Sequence, residues 1–206
     1  IDEHVISLGV DPKIPPITLS DAEFDKHLSR QANDRAKASE MEHAIRSHVR
    51  KHANEDPVLF RKLSERLNEI LKNLDEQWDL LIDNLKKIID ELRTGTASDN
   101  DALPDVPEHY VPFLRLLLDV VVGEETPNEQ QLVKTRDLTI ELVDMIIGEL
   151  TDTFWEPHRR PAQDALGARV FRLLIVSKLV ASAKASAIKD QLLELARANH
   201  QRLLKA

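Results

Sequence analysis

The stretch from Pro57 to about Thr94 limits this chain more than any other. It holds no Gly and no further Pro after its first residue. Asp56 can cap a helix start, and Pro57 suits the first helical position, where its missing N–H would have no partner anyway. Gly95 can adopt the left-handed conformation that ends a helix. Between these signals Leu63, Leu67, Ile70, Leu74, Trp78, Leu81, Leu85, Ile88 and Leu92 follow one another in steps of three and four, the spacing of a single helical stripe. Leu71, Ile82 and Ile89 widen that stripe. A continuous helix here would be about 55 Å long at 1.5 Å per residue. Such a rod cannot bury its apolar side alone, so other helices must lie along it. The residues therefore predict an all-α fold: an elongated bundle of about six to eight helices built along 57–94.

Composition narrows the chemistry. Aromatics are only 4% and glycines only five, which favours helices over sheets. Cysteine is absent, which excludes disulfides, thiolate metal sites and Cys nucleophiles. No apolar run approaches the roughly 20 residues of a membrane span. The opening Ile-Asp-Glu-His does not read as a signal peptide, and the missing initiator Met fits a fragment of a longer protein and fits trimming equally.

The net charge of −8 is unevenly spread. Residues 158–206 carry ten Lys/Arg against three acids, +7, whereas 1–157 carry eighteen against thirty-three, −15. Such asymmetry fits nucleic acid or an acidic partner for the basic part. The plainer reading, preferred here, packs basic C-terminal helices on acidic helices of the same chain.

Along the chain, 1–19 reads as an extended connector, because Pro12, Pro15 and Pro16 block a helix. Ser20 and Glu23 form a capping box that opens a helix. A second helical run spans Asp34 to about Ala53, with Ala38, Met41, Ile45 and Val49 on one face and Arg35, Arg46, Arg50 and Lys51 opposite. Residues 31–34 leave open a bend between the two. Asn73-Leu74-Asp75 is the one place where the long helix would break. Gly95 to Pro107 is a loop, taken as internal to a single helical domain over 20–206. Pro112 to Val122 is apolar nearly all round and reads as a buried helix, with no second strand candidate to pair with. Thr126, Pro127 and Glu129 combine a capping box with Pro at the first position. The helix that follows ends at Phe154-Trp155-Glu156-Pro157. Pro161 opens another through Val180, with Leu166, Val170, Leu173, Leu174 and Val176 inward. A last helix runs from about Ala183 to Leu204 on Ile188, Leu192, Leu193, Leu195 and Leu203.

Few constellations carry chemistry. His43, His48 and His52 share one helix with Glu42, and Glu55 follows it; His48 and His52, four apart, lie on one face as two metal ligands would. Ser-His-Val-Arg-Lys-His lacks the Glu that a zinc protease places after its first His, so an exposed or capping cluster is the preferred reading. The pairs Asp90–Glu91 and Glu124–Glu125 read as solvated faces. No phosphate-cradling glycine loop and no GxSxG occur. Trp78 and Trp155 read as core or interface anchors.

Lys37-Ala38-Ser39-Glu40-Met41-Glu42-His43-Ala44-Ile45-Arg46, then Glu55-Asp56-Pro57 and Leu63-Ser64-Glu65-Arg66-Leu67, resemble the C-terminal region of the restriction (R) subunit of type I restriction-modification enzymes. The similarity continues through Phe154-Trp155 and Leu193-Glu194-Leu195-Ala196-Arg197-Ala198-Asn199-His200 and covers most of the chain. It implies a cytoplasmic, non-catalytic helical domain that docks the motor and nuclease subunit onto the methyltransferase and specificity subunits. The parent would be an ATP- and Mg-dependent DNA translocase and site-specific deoxyribonuclease. None of its catalytic motifs lies within these residues, so the resemblance implies no catalytic residue, metal ligand or cofactor here. Residues 1–19 would lead out of the second motor lobe. The alternative is a DNA-contacting module using the basic faces near 46–51 and 159–205. The candidate interaction residues are Arg46, Arg50, Lys51, Arg159, Arg160, Arg169 and Arg172.

Overall fold

The computed structural model describes residues 22–31, 33–74, 77–94, 103–123 and 125–206. Among them lie nine α-helices and no strand: the all-α class is the one the apolar periodicity predicts, and the helices outnumber the expected six to eight because the long helix and the last helix are each divided. Ser20 of the expected first capping box, Gly95 as helix stop, Glu124 of the acidic pair and the whole 1–19 connector fall outside the described residues.

Where one domain over 20–206 was expected, chain contacts divide the described residues into two compact units. The first takes residues up to Ala53 and from Phe60 to Thr94; the second takes Asn54–Leu59 and everything from 103 onward. The physical reason is that the apolar side chains gather into two cores: Phe60 belongs to one and Val58 to the other.

In the first unit, α1 (Ala22–Ser29), α2 (Asp34–His52), α3 (Pro57–Asn73, from Phe60 on) and α4 (Trp78–Thr94) enclose Phe24, Met41, Ile45, Leu67, Leu85 and Ile88. Asn33 caps α2, its side chain accepting from the Ala36 N–H at 2.8 Å, and this separates α1 from α2. The expected long helix is two helices, broken between Asn73 and Trp78. Asn73 favours such a break because its side chain competes for backbone hydrogen bonds. The break lets both halves face one core, which a single rod cannot do. Arg66 fixes the pair by donating to both Glu91 oxygens at 2.7 and 3.1 Å, and Arg93 of α4 donates to Asp25 of α1 at 3.0 Å.

In the second unit, α5 (Val111–Val121), α6 (Glu129–Glu149), α7 (Arg160–Ser177), α8 (Ala185–Ala198) and α9 (His200–Leu203) surround a core that includes Phe113, Leu117, Leu142, Ile146, Val170, Leu174 and Leu192. The capping box of α6 sits two residues later than expected. Asn128 accepts from the Gln131 N–H, and Gln131 accepts from the Asn128 N–H, both at 2.9 Å. The helix of 161–180 stops at Ser177, because Lys178 takes the left-handed conformation at φ 57°. Val176 was expected inward and is 68% exposed. It follows the buried Leu174 by two residues, about 200° around the helix. The expected last helix is divided at Asn199 into α8 and α9.

Candidate functional site

Three short stretches converge in the second unit. Asp56 accepts from the Leu59 N–H at 3.0 Å and so caps α3, while its other oxygen accepts from the Arg115 guanidinium. The two side chains are 7% and 10% exposed, a buried ion pair. Asn199 donates to the Glu55 carbonyl at 2.9 Å and to the Leu195 carbonyl at 3.0 Å. The Trp155 indole N–H donates to His200 Nδ1 at 3.1 Å, and Phe154 meets Trp155 edge-on at 4.9 Å. Arg115 was not singled out from the sequence. The signal was there: an arginine in a run as apolar as 112–122 is buried with the helix, and burial demands a carboxylate.

Trp155 leads into an open groove of about 690 Å³ between α7 and α8. Its floor is Trp155, Gly167, Ala168, Phe171 and Leu193. A Cβ on Gly167 would meet Leu193 Cδ1 at 3.4 Å and Lys189 Cδ at 3.7 Å, ordinary contact distances that place α7 beside α8 at this level. Arg160, Lys189 and Arg197 stand on the rim with Asp164, Asp190 and Glu194, three charges of each sign. Gln163 fastens the preceding turn by donating to the Phe154 and Glu156 carbonyls at 2.9 and 3.1 Å.

The candidate arginines do not form one patch. Arg159 and Arg160 stand where α7 begins, and Arg160 pairs with Asp164 at 3.2 Å. Arg169, nine residues on and about 180° around the helix, pairs with Glu149 of α6. Arg172 is exposed. In the first unit Arg46 donates to Glu42 and Asn68, each at 2.8 Å, while Arg50 and Lys51 are exposed in the last turn of α2, where cations suit the helix dipole. The charge split is therefore met inside the second unit in part. Arg169 and Arg202 reach the acidic partners Glu149 and Glu108, whereas Arg160 and Lys189 pair with acids of their own helices. Lys178, Lys184, Arg197 and Lys205 remain exposed.

Two of the three histidines come together, their rings tilted by 34°. His48 and His52 lie 4.4 Å apart, ring centre to ring centre, with Phe60 at 6.0 and 6.3 Å. Among the described residues no group of three or more His, Asp or Glu is placed to hold a metal ion. Of the paired carboxylates, Glu91 is taken by Arg66.

Tyr110, the one tyrosine of the chain, donates to Asp144 at 2.5 Å. Burial, and next the Asp144 hydrogen bond, push its phenol up to about 12. A raised value means that folding favours the neutral phenol. That stability is complete below the unfolded value of 10.0 and is lost as pH climbs through about 12. An ultraviolet titration of tyrosinate is expected to show a midpoint near 12, moving down in Asp144→Asn; a midpoint near 10.0 in the unaltered protein would contradict the contact.

Compared with known proteins, the chain matches no family model, no curated protein and no solved structure. No helix among the described residues is long and apolar enough to cross a membrane.

Proposed function

We propose that this chain is a non-catalytic assembly domain of the kind that closes type I restriction R subunits, docking a motor and nuclease subunit onto a methyltransferase and specificity core. The observation that carries the reading is the character of the α7–α8 face. An apolar floor with Trp155, Phe171 and Leu193 under a rim of balanced charge suits a protein surface. A phosphate backbone would instead select a rim of one sign. The stretches that carry the resemblance add support: Glu55-Asp56, Phe154-Trp155 and Asn199-His200 are tied into the second unit by named hydrogen bonds.

The DNA-contacting alternative rests on the exposure of Arg50, Lys51, Arg159 and Arg172. One set of substitutions separates the two. With Arg159, Arg160, Arg169 and Arg172 all replaced by Gln, assembly with the methyltransferase and specificity core is expected to survive, since exposed ion pairs contribute at most about 1 kcal/mol each. Duplex DNA binding is expected to be weaker than about 10⁻⁵ M before and after the change at physiological salt. Loss of assembly, or tight DNA binding that falls steeply with salt and disappears in the variant, would favour the basic surface instead.

A further inference from the structure

The assembly reading leaves His48 and His52 unused. They lie four residues apart at the C-terminal end of α2, on one face of that helix. Neither is a cap, since Asn33 and Ala53 hold those positions, and both side chains are half-buried where an exposed or capping cluster was expected. Phe60, itself 8% exposed, flanks both rings at 6.0 and 6.3 Å and forms an apolar wall on one side.

The spacing of the rings suits a shared ion. A divalent ion at about 2.0–2.1 Å from an imidazole nitrogen lies about 3.2 Å from the centre of that ring. Two rings that meet one ion at a right angle then have centres about 4.5 Å apart, and at the tetrahedral angle about 5.2 Å. The observed separation is 4.4 Å. The 34° tilt is compatible with this, because the ring planes need only each contain the ion. We infer that His48 and His52 form a two-imidazole site for a divalent transition-metal ion, with copper(II) bound most tightly. A right angle is the tetragonal geometry of copper(II) and nickel(II), while zinc prefers the wider angle, and the general affinity order also places copper first. Magnesium and calcium select oxygen ligands and do not fit. One nitrogen of each ring would ligate and the other would keep its hydrogen bond, with water filling the remaining positions. The C-terminal end of a helix also favours positive charge. Arg50 and Lys51, which oppose it from the same turn, are exposed to solvent and so screened. The inference stands apart from the assembly reading.

The test is a calorimetric titration of the 206-residue chain with copper(II) chloride alone. The chain carries His4→Ala, which keeps the amino-terminal Ile-Asp-Glu-His from competing for the ion. One equivalent of copper is expected to bind with a Kd tighter than about 100 μM. His48→Ala and His52→Ala are each expected to weaken binding about tenfold or more, with unchanged helical circular dichroism. His43→Ala, five residues before His48 and about 140° around the helix, is expected to change nothing. The electron paramagnetic resonance spectrum of the complex is expected to show splitting from two nitrogens. That spectrum is taken with both histidines in place, so it tests the site even where a variant unfolds. No binding below about 1 mM, a spectrum with fewer than two nitrogens, or a loss in His43→Ala as large as in His48→Ala would each overturn the inference.

Discussion

Asp56→Ala is expected to destabilise the second unit by about 4 kcal/mol. The substitution removes the acceptor that caps α3, typically worth about 1 kcal/mol. It also takes the carboxylate from Arg115, and breaking a buried ion pair on one side costs about 3–5 kcal/mol. The side chains are 7% and 10% exposed, so solvent screens the pair little. Asp56→Asn keeps an oxygen for the Leu59 N–H and loses the charge, so it should fall between wild type and Asp56→Ala. Adding Arg115→Met to Asp56→Ala should recover part of the loss, because an apolar pair no longer strands a charge. Urea unfolding followed by Trp155 emission in a Trp78→Phe background measures all three. A loss below about 1 kcal/mol for Asp56→Ala would mean that the pair is not buried in solution.

Leu85→Ala is expected to cost the first unit about 2–5 kcal/mol, the range for a fully buried leucine that leaves a cavity. Leu85 is 0% exposed in the core shared by α2, α3 and α4. Trp78 lies on the same sequence stripe and would cost about 3–5 kcal/mol if it sat mid-helix in the core. It instead opens α4 and is only partly buried, so Trp78→Ala should cost clearly less than Leu85→Ala. Hydrogen exchange of the α2 and α4 amides reads the difference. A larger loss of protection for Trp78→Ala than for Leu85→Ala would restore the single long helix.

Trp78 also shows why a stripe is not a structure. Three-and-four spacing reports which side chains share a direction along a helix. The same spacing results when one rod lies against a partner and when two shorter helices turn back on a common core. Arg66 and Glu91 meet at 2.7 Å only in the second case. The cap of α6 is a similar instance. Thr126 with Glu129 and Asn128 with Gln131 both satisfy the capping pattern, and the backbone adopts the second.

The sequence by itself determined the all-α class, the extent of α2 and α5, the start of α3 at Asp56-Pro57, and the absence of thiol chemistry. These depend on neighbours within a turn or two of helix, which apolar spacing and capping residues describe directly. Only the tertiary structure decided that the apolar residues form two cores, that Asp56 meets Arg115 across 59 residues, that Asn199 reaches Glu55, and that Arg160 and Arg197 share one rim while Arg169 turns toward Glu149. The reason is physical. A helix reveals its faces locally, but which face meets which is set by the path of the connecting loops and by the free energy of burying both faces together.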